Sequence, residues 1–316
     1  MNIFVAGATG TVGNRLLPML LQHGHVVTAL TRSPQKAEAV RAIGARPVIA
    51  DGLDGDAIRG AVAEARPEII IHQMSGLSGV STLKNFDDEF AVTNRLRSEG
   101  TDILLAAAKA AGVRRFIAQS FGNWNYERTG AGPKAETDAF DPRPPKNQRQ
   151  TLAAIRHLET AVTGLPDIEG IALRYANFYG PGTGFSPGGN IVEMVRSRRL
   201  PIVGNGAGIW SFIHIDDAAA ATVAALTAPP GIYNIADDEP APVAAWLPEL
   251  ARVISAKPPL RVPAWLGRLF IGEVGVSMMT EIRGALNTKA KTVLDWQIQF
   301  PSWRDGFRSV LEPGRG

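Results

Sequence analysis

The chain has 316 residues, 45% of them hydrophobic and 20% charged, with a net charge of +3. That composition belongs to a globular protein, and so small a net charge gives no ground for a nucleic-acid partner. The absence of cysteine excludes disulfides, thiolate nucleophiles and Cys-based metal sites.

The first half alternates short apolar runs with longer amphipathic ones. In chain order the pattern predicts a strand at Asn2–Ala6, a helix at Val12–Gln22, a strand at Val26–Leu30, a helix at Pro34–Ile43 and a strand at Arg46–Ile49. A helix at Asp56–Ala63, a strand at Glu68–His72, one long helix at Phe86–Ala111 and a strand at Arg114–Gln119 follow. Asn123–Asn147 breaks the rhythm and reads as a long loop rich in Gly, Pro and charge, of the kind that is often functional. A helix at Gln148–Val162 and a strand at Gly170–Arg174 close the series. Strand–helix alternation with apolar strands implies an α/β fold with a doubly wound parallel sheet.

After Arg174 the pattern loosens, with Gly and Pro clusters at Gly180–Gly189 and Gly204–Gly208. The expected organisation is a dinucleotide-binding domain over 1–174, to which 209–236 returns. A smaller C-terminal substrate-binding lobe is expected from 175–208 and 237–316. The histidines His23, His25, His72, His157 and His214 have no metal-ligand spacing, so no metal is expected. The first residues read as a strand rather than a signal peptide, and no apolar run of about 18 residues suggests a membrane span. A cytoplasmic enzyme with a small-molecule substrate, with a homodimer as the commonest assembly, is the default expectation.

Gly7-Ala8-Thr9-Gly10-Thr11-Val12-Gly13 joins the first strand to the first helix. Glycines at this spacing permit a tight turn and let the backbone approach a pyrophosphate, which then meets the helix N-terminus. Gly7, Thr9, Gly10, Thr11 and Val12 are therefore candidate cofactor contacts. An NAD site usually carries an acid at the end of the second strand. Here that strand runs Thr28-Ala29-Leu30-Thr31-Arg32, and the Arg32 guanidinium suits the extra phosphate of NADP(H).

These residues open a longer series of matches. Ala50-Asp51-Gly52-Leu53, Ile70–Gly76, Leu173–Gly182, Phe212–Asp217, Gly231–Ala236 and a C-terminal Lys289…Trp296 element occur in order. With the glycine loop, they make the sequence similar to the extended short-chain dehydrogenase/reductases, the NAD-dependent epimerase/dehydratase family. The resemblance implies a Rossmann fold. It also implies cofactor contacts from Asp51 and Gly52 near the adenine, from Met74, Ser75 and Gly76 beside the cofactor, and from Tyr175 and Asn177 beside the nicotinamide.

The sequence also departs from that pattern. The family's acid/base pair is Tyr-x-x-x-Lys, four residues apart so that both side chains share one helix face. Aligning Glu159 with the family's glutamate puts Thr151 and Ile155 at those positions. The family's helix asparagine falls on Arg97, one turn after Asn94, and its serine partner falls on Phe121 or Gly122, just after Ser120. By elimination Tyr126 is the candidate proton donor, with Ser120 orienting the substrate, Lys134 as the cation that would lower the phenol pKa, and His157 as a weaker substitute. Trp210 stands where sugar-nucleotide members carry a diphosphate-gripping arginine, and Leu266–Met279 is strongly apolar. Trp210, Phe178 and Phe121 are therefore the expected substrate contacts. The resulting expectation is an NADP(H)-dependent oxidoreductase that transfers hydride to a small or medium apolar carbonyl, imine or activated double bond. An epimerase or dehydratase with tightly held cofactor and a non-catalytic NADP(H)-binding regulator stand as alternatives.

Overall fold

The computed structural model describes residues 1–77 and 84–312; the last four residues assigned to the C-terminal lobe lie outside that range. The first half runs β1 (Asn2–Ala6), α1 (Thr11–Gln22), β2 (Val26–Thr31), α2 (Pro34–Ala42), β3 (Arg46–Ile49), α3 (Gly55–Ala65) and β4 (Ile69–His72). It continues with α4 (Phe86–Glu89), α5 (Ala91–Arg97), α6 (Glu99–Ala110), β5 (Arg115–Phe121), α7 (Arg149–Thr163) and β6 (Glu169–Tyr175). The second half supplies β7 (Asn177–Tyr179), α8 (Asn190–Arg196), β8 (Ile202–Val203), β9 (Ile209–Trp210), β10 (Phe212–His214), α9 (Ile215–Ala224) and β11 (Gly231–Ile235). The chain finishes with β12 (Ala241–Pro242), α10 (Val243–Val253), β13 (Arg261–Val262), α11 (Ala264–Thr280), α12 (Thr288–Val293) and α13 (Trp303–Leu311).

Seven strands form one sheet in the order β11-β6-β5-β4-β1-β2-β3, every pair parallel. The order reverses direction beside β1, so the chain winds outward both ways and leaves a crevice at the strands' C-terminal ends. All four residues of β4 are buried, as a strand covered by helices on both faces requires. One face packs α1 and α9 through Leu16, Leu17, Leu20, Ala218 and Ala221. The other packs α3, α6 and α7 through Ile58, Val62, Leu104, Leu158 and Val162. A separate apolar cluster around Phe212, Trp246, Trp303 and Phe307 holds the C-terminal region. There β7 pairs with β10, β9 with β12 and β8 with β13.

The long helix expected over Phe86–Ala111 is three helices. Phe90 leaves helical geometry between α4 and α5 (φ −94°, ψ 4°), and Ser98 does so between α5 and α6 (φ −92°, ψ −80°). The Ser98 hydroxyl donates at 2.9 Å to the Asn94 carbonyl, which also accepts from the Ser98 N–H at 3.0 Å, and back-bonding of this kind bends helices. Asn123–Asn147 is irregular apart from two single bridges, Tyr126 with Phe140 and Lys134 with Ala285, and the start of a one-turn 3-10 helix at Lys146–Gln148.

Candidate active site

A cleft of ≈ 1240 Å³ runs along the C-terminal ends of β1, β2, β4, β5 and β6 and under α8, α10 and α11. Ordinary small-molecule pockets span roughly 300–1,000 Å³, so this one has room for a dinucleotide and a second molecule.

At one end lies the glycine loop. Gly7 has φ +87°, and a Cβ there would meet the Gln73 backbone at 2.4 Å. A Cβ on Gly13 would meet the Ala8 carbonyl at 2.4 Å, so that glycine lets α1 pack against the loop. Gly10 differs: a Cβ would touch only the Gly7 carbonyl, at 3.3 Å, and otherwise meets nothing within 4 Å. Gly10 is also the N-cap of α1 and supplies no side-chain cap, which leaves the first-turn N–H groups and the positive end of the helix dipole for an anion. Gly7, Thr9, Gly10, Thr11 and Val12 all line the cleft here. This cradle fits the pyrophosphate of a dinucleotide.

Beyond the loop, Arg32 and Lys36 line the cleft as exposed cations, neither in an ion pair among the described residues. Ser33 caps α2 by accepting from the Lys36 N–H at 3.3 Å, which sets Lys36 one turn beyond Arg32. Sequence reasoning missed Lys36, although its four-residue spacing from Arg32 was the available signal. Asp51 accepts from the Leu53 N–H at 2.9 Å and, with Gly52, lines the same end. Met74 lies against Gly52, where its Sδ fills the space a Cβ would take.

Gln73, Met74 and Ser75 continue the lining, but Gly76 does not; its N–H donates to Thr93 Oγ1 at 3.0 Å and it backs onto α5. Gly76 thus faces a helix, where a cofactor contact was expected. His72 is fully buried, bonded through Nε2 to the Leu96 carbonyl at 3.2 Å. Burial pushes its pKa down to about 4, and it is neutral at ordinary pH. Tyr175 is equally buried, with its hydroxyl on Thr222 at 2.6 Å and Gln73 at 3.0 Å, and burial raises its pKa to about 12. Asn177 donates to the Ser211 carbonyl at 3.0 Å, and Phe178 packs 5.3 Å from the Tyr175 ring; both line the cleft.

The far end is aromatic. Phe86, Phe90, Phe121, Trp124, Trp210 and Trp246 line it, with Met278 and Ile282 from the C-terminal region. Trp210 is half-buried, donates its Nε1–H to the Met278 carbonyl at 2.8 Å, and lies 4.9 Å from the Trp246 ring.

Residues 3–236 match the family model described as the NAD dependent epimerase/dehydratase family. A 3-diazoavenalumate denitrifying reductase from a Streptomyces species is 41% identical over 311 residues, covering 97% of this chain and 99% of that protein. Thermotoga maritima UDP-glucose 4-epimerase, solved with UDP-glucose, superposes with a TM-score of 0.76 at 21% identity over 98% of this chain and 97% of that one. A human epimerase family protein solved with NADPH also gives a TM-score of 0.76, at 18% identity over 99% and 100% of the two chains. The chain belongs to the NAD dependent epimerase/dehydratase family.

Within this family fold the Tyr126 expectation needs correction. Tyr126 does not line the cleft. Its ring is 1% exposed, and its hydroxyl is enclosed by Asn234, to whose Oδ1 it donates, and by Arg174, whose Nη1 donates to it at 2.9 Å. Burial raises the phenol to about 12, against the pull of Arg174. Lys134 does not reach it either: its Nζ is paired with Glu127 at 3.1 Å and Asp138 at 3.5 Å. His157 sits on the outer side of α7, bonded to Asp102 at 2.8 Å. Ser120 does border the cleft, but its hydroxyl is committed to Glu159 Oε1 at 2.6 Å, and Glu159 also takes Arg174 in a buried ion pair at 2.6 Å.

On α7, Thr151 and Ile155, the residues that aligning Glu159 puts at the tyrosine and lysine positions, are both fully buried. The Thr151 hydroxyl donates to Asp87 at 2.7 Å and accepts from Asn94 at 3.0 Å. Ile155 is buried against Phe86, Trp124 and Met278. The cation that does line this part of the cleft is Arg97, on α5.

Proposed function

We propose that the chain is an NADP(H)-dependent reductase whose substrate is a largely apolar, conjugated molecule carrying an electrophilic group that accepts hydride without a proton donor. The observation that carries this reading is the aromatic end of the cleft, which no residue of α7 lines among the described residues; both phenols close to the site are buried and committed, Tyr175 to Thr222 and Gln73 and Tyr126 to Asn234 and Arg174. A ketone or sugar intermediate needs a proton delivered or removed as hydride moves. A diazo group conjugated with a carbonyl does not, and the full-length likeness to a 3-diazoavenalumate denitrifying reductase supports that substrate class.

The residues divide the work. Gly7, Thr9, Gly10, Thr11 and Val12 would hold the pyrophosphate, Arg32 and Lys36 the extra phosphate, Asp51 and Gly52 the adenine end, and Met74, Ser75, Tyr175 and Asn177 the inner half. Bound NADPH would supply a hydride to the carbon bearing the diazo group; with the C–N electrons leaving as dinitrogen, the product would be an enolate or phenolate that takes its proton from solvent afterwards. Trp210, Phe121 and Phe178 give the substrate flat apolar surface and exclude water, which favours a planar conjugated ligand over a charged diphosphate. Thr151 is fully buried, and its hydroxyl hydrogen is committed to the Asp87 carboxylate, so it does not act as an acid.

The test is to mix the purified protein with NADPH and an aryl diazo-ketone, and to measure dinucleotide oxidation and dinitrogen release together. One dinitrogen released per NADPH oxidised is expected, with little turnover of a simple ketone. Cofactor that copurifies and undergoes no net oxidation with any hydride acceptor would instead support the epimerase or dehydratase reading.

A further inference from the structure

Among the described residues five cations line the cleft: Arg15, Arg32, Lys36, Arg97 and Arg199. Arg15 is in an ion pair with Asp216 at 3.1 Å, and Arg199 is exposed and donates to Ser197 at 2.9 Å. Arg32 and Lys36 are exposed at the adenosine end. Arg97 is unlike the rest. It is 4% exposed, it makes no ion pair among the described residues, and its Nη1 is buried with no hydrogen-bond partner. Gln73 and Asn123, which line the same cleft, also keep a buried oxygen unpartnered.

The acids nearby are already committed. Glu159 takes Arg174 and Ser120, and Asp87 takes the Thr151 hydroxyl and the N–H groups of Gln150 and Thr151. His72 is neutral and offers no counter-charge. A guanidinium taken out of water with no partner is destabilising, and folds keep such a group where a ligand completes it.

We infer that Arg97 is the receptor for an anionic oxygen on the substrate, and that the substrate class is a flat conjugated acid, carboxylate or phenolate, lying between this guanidinium and the aromatic wall. The inference rests on the reductase reading of the cleft. It also supplies what that reading lacks. Where the oxygen is a phenolate conjugated with the diazo carbon, its charge is partly drawn into the diazo group, and it becomes a full oxyanion as hydride adds and the C–N electron pair leaves with dinitrogen. A permanent cation at that oxygen stabilises the charge with no proton transfer, in a water-poor site where such contacts are strongest.

The experiment uses the NADP+-saturated protein and reads quenching of tryptophan fluorescence, since Trp124, Trp210 and Trp246 line the cleft. The probes are cinnamate and its neutral isostere cinnamamide. Wild type should bind cinnamate tighter by about tenfold to a hundredfold, the range of a charge-assisted hydrogen bond. Arg97→Gln should abolish the preference, Arg97→Lys should keep part of it, and NADP+ affinity should change less than about threefold in both. Equal binding of the two probes by wild type overturns the inference, and needs no variant to fold. A preference retained in Arg97→Gln overturns it too. So does loss of NADP+ affinity with the preference intact, which would assign the guanidinium to the cofactor. The preference is independent of turnover: if diazo compounds are not reduced but the preference stands, the reductase reading fails and the anion site remains.

Discussion

Arg174 donates from Nη1 to the Tyr126 hydroxyl at 2.9 Å, and the same guanidinium lies 5.2 Å from the centre of the tyrosine ring. The phenol is therefore a structural hydrogen-bond partner. Tyr126→Phe should leave turnover within about a factor of two of wild type, where loss of a general acid costs a hundredfold or more. It should lower stability by about 1–3 kcal/mol, because Asn234 Oδ1 and a buried N–H of Arg174 lose a partner. Steady-state rates and thermal melts check both; a hundredfold loss of rate in a folded variant would return Tyr126 to the chemistry.

Gly10→Val should abolish dinucleotide binding in a folded protein. The Gly10 backbone is extended (φ −80°, ψ −178°), a conformation open to valine, whose Cβ would sit tightly at 3.3 Å from the Gly7 carbonyl and whose methyls would enter the space proposed for the pyrophosphate. Calorimetric titration with NADPH, alongside an unchanged melting curve, is the measurement. Unchanged affinity would remove the glycine loop from the cofactor site.

Arg32→Asp should weaken NADPH by about one to two powers of ten and NADH far less, since it removes a phosphate partner worth roughly 1.5–3 kcal/mol and adds a repelling charge. Adding Lys36→Glu should deepen the difference. An equal response of the two cofactors would show that neither cation selects between them.

The pH dependence of stability follows from His72. Its folded pKa is about 4, below the usual 6.5. The unfolded chain binds the proton first, so the contribution is present above pH 6.5 and is lost as pH falls towards 4. The difference corresponds to roughly 3 kcal/mol. Denaturant midpoints of wild type should drop over that interval more steeply than those of His72→Gln, whose amide does not titrate. Parallel slopes would mean that burial does not hold the folded pKa of His72 below its unfolded value.

Much of the fold was legible because strands covered on both faces spell continuous apolar runs. Glu68–His72 and Asn2–Ala6 could be read as strands, the first starting one residue early, and the glycines between β1 and α1 followed from the turn they permit. Legibility failed where a local side-chain bond overrode the pattern. Ser98 turns its hydroxyl onto the Asn94 carbonyl, and one apolar periodicity becomes separate helices. It failed more seriously at Tyr126. Elimination along the chain identified a phenol on the right loop, but its burial is decided by Arg174 and Asn234, 48 and 108 residues away. Arg97 was noticed only as a residue out of pattern. Its standing as a buried, unpaired cation depends on Glu159 being occupied by Arg174, a contact between α7 and β6 that no spacing along the chain announces.

The pairing of β6 with β11 also bears on how the protein is made. Residues 171–175 find their partners at 231–235, so β6 leaves the ribosome roughly 55 residues ahead of the strand that covers it. At typical synthesis rates that interval is about 3–11 s. During that time β6 presents an open, largely apolar strand edge, the feature by which nascent chains pair with one another. Completion of the sheet is thus a late event in biosynthesis, and yield in a cell depends on how well that edge is shielded while the C-terminal region is still being translated.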